Sequence, residues 1–129
     1  MQEPCWHTFR ALARDLPLHL ACANLICDTL RQGGAEPDMA LPLYRALKSI
    51  DPSTLCLRVD TPLLEVPEDR GWLSDLVLTV LTRAKAFEMD ISAIGDPASL
   101  RQRLEVECRD ANSHMPLSGL VGGWIRKRG

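Results

Sequence analysis

The chain of 129 residues (14.3 kDa) is 46% apolar, 25% charged and only 5% aromatic, with a net charge of −2. That length is one ordinary domain, able to bury about two thirds of its unfolded surface in a single core. The composition excludes a disordered chain, a collagen-like repeat and a small disulfide scaffold. Fifteen Lys and Arg stand against seventeen Asp and Glu. No global basic surplus is available to neutralise phosphates, so nucleic-acid binding requires a local patch.

The first segment, Glu3 to about Arg14, places Trp6, Phe9, Leu12 and Ala13 at helical spacing. Pro17 suits the first turn of a second helix, with Asp15 as its cap or first-turn acid. Leu18, Cys22, Leu25, Ile26 and Leu30 form its apolar stripe, and Gly33-Gly34 supplies the stop. A third helix follows Asp38 and runs to Ile50, with Pro42 in the first turn. Leu43, Leu47 and Ile50 line its buried side, flanked by Tyr44.

Residues 55–66 break this pattern. Leu55, Leu57 and Val59 alternate with Cys56, Arg58 and Asp60, a period of two. A short β-hairpin and an extended segment packed on helices both fit. The fourth helix runs from Pro67 or Glu68 to about Met89, with Glu68 and Asp69 in its first turn; Gly71 allows a start nearer Trp72. Trp72, Leu73, Leu76, Val77, Val80, Leu81, Ala84 and Phe87 recur at spacings of three and four, and Leu78 lies outside that stripe. Such an apolar helix belongs in the centre.

Asp96-Pro97 opens a fifth helix that reaches about Asn112, with Leu100, Leu104, Cys108 and Ala111 inward. Arg101–Glu105, Arg103–Glu107 and Glu105–Arg109 are spaced for surface ion pairs, which puts Glu105 and Glu107 on a solvated face. After Pro116 the chain reads LSGLVGGWIRKRG, too rich in glycine for an isolated helix. The expected fold is mostly all-α, a compact bundle of about five helices with a hairpin or extended insert at 55–66. Residues 1–116 form one helical domain, and 117–129 form a glycine-containing basic tail.

Five cysteines (Cys5, Cys22, Cys27, Cys56, Cys108) form no C-x-x-C and no Cys/His zinc pattern. Together with the lack of a secretory apolar segment or a membrane-length apolar run, this suggests a reducing, cytoplasmic setting with buried free thiols. The twelve Arg against three Lys fit a GC-rich bacterial or phage genome. No metal site and no cofactor is expected.

His19 and Cys22 share one face of the second helix, where a metal or nucleophile site could begin, but no further ligand or orienting acid is nearby in sequence. Burial as ordinary core side chains explains them more simply. No nucleotide-binding loop, nucleophile elbow or HExxH motif occurs, and no catalytic residue is assigned. A helix-turn-helix reader is disfavoured because GGAEPD is longer than the usual turn. The distinctive local feature is Trp124 and Ile125 directly before Arg126, Lys127 and Arg128, an aromatic beside a cation cluster that suits an anionic or protein surface. Twenty-one leucines suit helix packing and self-association. These features favour a non-enzymatic interaction protein (inhibitor, chaperone, immunity factor or complex subunit) that binds another macromolecule, a protein partner or a second copy, through a helical surface such as that around Leu78, or through the basic C-terminus with those five residues in contact. The alternatives are a nucleic-acid-associated regulator using the tail, or a small enzyme with a His/Cys site outside the known motifs.

Overall fold

The computed structural model describes residues 2–64 and 71–126. Within them the chain runs β1 (Gln2–Cys5), α1 (Trp6–Leu12), α2 (Pro17–Gln32), α3 (Ala40–Ile50), β2 (Cys56–Asp60) and β3 (Leu63–Leu64). It continues through α4 (Trp72–Ala86), α5 (Leu100–Asp110), β4 (Met115–Pro116) and β5 (Gly119–Trp124). Short 3-10 turns at Ser92–Ile94 and Pro97–Ser99 join α4 to α5. The molecule is mostly helical, as the periodicity implies, but it is not a pure bundle. A three-stranded antiparallel sheet has the order β1-β5-β2, and β3 pairs with β4 in a second, two-stranded sheet.

The strands correct two expectations. Gln2–Cys5 precedes the first helix as a strand, paired from Gln2↔Gly122 to Cys5↔Gly119. Residues 55–66 are not a hairpin, because β2 pairs with β5 while β3 pairs with β4. Each strand is completed by chain more than 50 positions away, a pairing that local alternation does not reveal.

The glycines of β5 explain how this segment becomes the central strand. Gly119, Val121 and Gly123 alternate inward and are buried. A Cβ on Gly119 would lie 2.5 Å from the Cys5 carbonyl oxygen, and one on Gly123 would lie 2.6 Å from Leu47 Cδ1. Glycine therefore lets β1 and α3 approach the strand closely.

Two apolar clusters result. The larger gathers Phe9, Leu16, Ile26, Leu73, Val77 and Leu104, uniting α1, α2, α4 and α5. Trp6 and Phe9 within it meet the partly buried Trp72, Phe9 edge-on to both tryptophans, at centroid separations of 5.3 to 6.0 Å. The smaller joins α3 to the sheet through Cys5, Leu43, Leu47 and Val121, with Leu57 and Ile125 packed against it.

Pro42 falls in the first turn of α3, and Leu43 and Leu47 are buried as expected. Ile50 is not: it is 69% exposed at the helix end, beyond the α3 residues that reach the sheet. Leu73, Val77, Leu81 and Ala84 bury the α4 stripe, whereas Phe87 lies past the helix and is exposed. The expected first turn at Glu68 and Asp69 lies outside the described residues. Asp96 accepts the Ala98 N–H at 3.0 Å, and α5 then buries Leu100, Leu104 and Cys108. Ala111 follows the helix and is exposed.

Candidate functional site

On the outer face of β5 the side chains alternate with the buried positions Val121 and Gly123. Leu120 is 46% exposed and Trp124 50% exposed, separated by the side-chain-free Gly122. Directly opposite residues of an antiparallel pair share a face, so Cys56 stands beside Trp124, Arg58 beside Gly122 and Asp60 beside Leu120. Arg58 Nε lies 3.0 Å from Asp60 Oδ2, an ion pair within this face. Trp124, Cys56, Thr54 and Arg126 also line a hollow of about 430 Å³ at the strand end.

This geometry separates the five residues singled out from the sequence. Trp124 is on the open face, whereas Ile125 turns inward onto the α3 cluster. Arg126 is exposed, and its backbone N–H donates to Thr54 Oγ1 at 3.0 Å. Lys127 and Arg128 lie outside the described residues. Leu120 joins Trp124, a companion that a basic-tail reading overlooks because it requires the strand register.

Two carboxylates organise the interior. Asp38 is buried; its Oδ1 accepts the N–H of Trp6 at 2.7 Å and of His7 at 3.0 Å, capping α1 from outside that helix. Its Oδ2 meets Arg10 Nη1 and Arg31 Nη2, each at 3.1 Å, and His7 Nε2 at 3.7 Å. Burial pushes the Asp38 carboxyl up, but the Trp6 N–H, the Arg10 guanidinium and His7 outweigh it and hold it below the usual carboxylate range.

Glu107 is the second, and it corrects the solvated-face expectation. Its carboxylate reaches from α5 to the start of α2, accepting the N–H groups of Leu18 at 2.7 Å and His19 at 2.9 Å. The residue flanking α2 is Leu16, which offers no side-chain acceptor, so Glu107 supplies the cap expected of Asp15. Arg103 turns instead to the carbonyls of Ile94 and Asp96.

His19 is fully buried, and its Nδ1 lies 2.7 Å from Glu107 Oε1. Its Nε2 lies 3.4 Å from Cys108 Sγ, which also lies 3.9 Å from the His114 carbonyl. Burial lowers the imidazole pKa, and the hydrogen bond and charge of Glu107 only partly offset it. A neutral ring that donates Nδ1–H to a carboxylate presents Nε2 as an acceptor to the thiol. A thiol, an imidazole and an orienting acid thus converge, although the cysteine is Cys108 and not Cys22. Adjacent positions on α5 deliver both partners, which sequence spacing around His19 could not show. His114 is exposed, and His7 Nε2 lies beside the Asp38 carboxylate.

Cys5, Cys22, Cys27 and Cys108 are buried and Cys56 is exposed, and none of the five is joined in a disulfide. Among the described residues, no group of three or more His, Cys, Asp and Glu side chains is arranged to hold a metal ion. No helix among them is long and apolar enough to cross a membrane. Comparison of the chain with protein-family models, with curated proteins and with solved structures finds no match.

Proposed function

We propose that the protein is a non-enzymatic interaction module that binds a protein partner through the outer face of its three-stranded sheet. The observation that carries this reading is the pair Leu120 and Trp124, both about half exposed on one face of the central strand. An exposed tryptophan beside a hollow and a cation fits a partner that inserts an apolar side chain and places an acid near Arg126. A reducing, cytoplasmic setting accords with five cysteines that form no disulfide.

The test is native mass spectrometry and light scattering of tagged protein recovered from its source cells, wild type against a Leu120→Ser/Trp124→Ser double variant. A mass above the 14.3 kDa chain that is lost in the folded variant supports the reading. A lone monomer in both samples removes it. Where the recovered partner is nucleic acid, truncation before Arg126 and a salt titration decide: steep salt dependence abolished by truncation favours the basic end over the sheet face.

A further inference from the structure

The His19, Glu107 and Cys108 cluster has no part in a sheet-face docking surface. Its geometry is that of a base held ready beside a thiol. Glu107 is fixed by two backbone N–H groups of α2 and in turn fixes the imidazole at Nδ1, so Nε2 stays aimed at Cys108 Sγ. Cys22 and Cys27 are wholly enclosed, and burial pushes their thiols up to about 12 and about 11. Cys108 is 7% exposed, in the last part of α5. Cys5, Cys22 and Cys27 are 2%, 0% and 0% exposed, so Cys108 is the most exposed of the four buried thiols.

We propose that Cys108 is an oxidation site that reacts with small uncharged peroxides, His19 serving as its base and Glu107 as the residue that positions His19. The Cys108 S–H proton passes to His19 Nε2 as the sulfur attacks one oxygen of hydrogen peroxide. An S–O bond forms and the O–O bond breaks. The departing hydroxide takes the proton from Nε2 and leaves as water. The sulfur is oxidised by two electrons to the sulfenic acid, and the peroxide is reduced. The added oxygen sits where α5 meets the capped end of α2, so oxidation loosens that contact.

Native protein is exposed to hydrogen peroxide for timed intervals, quenched with catalase and unfolded in dimedone, then digested, and labelling at each cysteine is followed by mass spectrometry. Exposed Cys56 serves as the reagent reference. The expected result is Cys108 labelling at least about tenfold faster than Cys5, Cys22 and Cys27, a threshold set below the roughly hundredfold that a positioned base contributes at its low end. A smaller ratio overturns the proposal. So does an equal advantage for Cys108 toward N-ethylmaleimide, since exposure alone then explains the difference. Because all four buried thiols are compared in one folded molecule, this reading needs no variant. In Glu107→Gln, with folding verified by circular dichroism, the Cys108 rate falls at least about fivefold toward that of Cys22; an unchanged rate removes Glu107 from its positioning role.

Discussion

At the scale of single residues, two carboxylates do more for the fold than their sequence context suggests. Asp38 and Glu107 each cap a helix to which they do not belong. Removing Asp38 leaves two backbone N–H groups without their acceptor and two guanidinium groups without a buried partner. Arg31 is partly exposed and recovers water, so the ion-pair share is discounted. Asp38→Ala is therefore expected to cost about 2–3 kcal/mol, mostly as lost capping and charge-assisted hydrogen bonds. Gln102→Ala, at an exposed position of α5, should stay within about 0.5 kcal/mol. Urea unfolding of both variants checks the contrast, and equal losses would contradict a capping role for Asp38. Neither role was legible from spacing: Asp38 reads as the start of α3 and Glu107 as one more charge on a solvated helix. The one clue is negative, since Leu16-Pro17 begins a helix without an acceptor of its own and therefore demands one from elsewhere.

At the scale of elements, helices were legible because their apolar period is contained within each segment. The Leu73, Val77, Leu81 and Ala84 stripe buries as its spacing requires, and α2 spans Pro17–Gln32 between its proline and Gly33-Gly34. Strands were not, because pairing joins segments remote in sequence and half of the central strand is glycine. In β5 only Val121 offers an inward side chain, so no alternation of apolar residues announces it. Glycine is instead required by close approach, which becomes visible only once β1 and α3 are in place. Gly119→Ala should cost about 1–3 kcal/mol because its new methyl meets the Cys5 backbone carbonyl, which cannot swing aside. Gly123→Ala meets the methyl ends of Leu47 and Leu57 and should cost less, since those side chains can shift. Urea midpoints at unchanged m rank the two; the reverse order would show that the α3 contact, and not the β1 contact, limits the approach of the strand.

At the scale of the whole molecule, both buried titratable centres make stability depend on pH in the same direction. His19 has a folded pKa below its ordinary 6.5, chiefly through burial. Between those two values the unfolded chain binds the proton and the folded chain does not, so stability falls as pH drops below about 6.5. Asp38 has a folded pKa below its ordinary 3.8. Its contribution is complete above that value and is lost as pH falls through the lower folded one. Acidification also removes the carboxylate charges that offset fifteen Lys and Arg, adding self-repulsion in the same range. The expected profile is a plateau above pH 7, a first decline starting near 6.5 and a second in the carboxylate range. The two steps separate by substitution. His19→Gln, which keeps a donor for Glu107 but does not titrate, should lower the plateau and abolish the first decline while preserving the second. Asp38→Asn should lower the plateau and leave the first decline in place, since His19 still titrates in that variant. Urea unfolding from pH 3 to 8 measures both. A first decline that survives in His19→Gln would assign it to another group and show that His19 is already neutralised equally in both states.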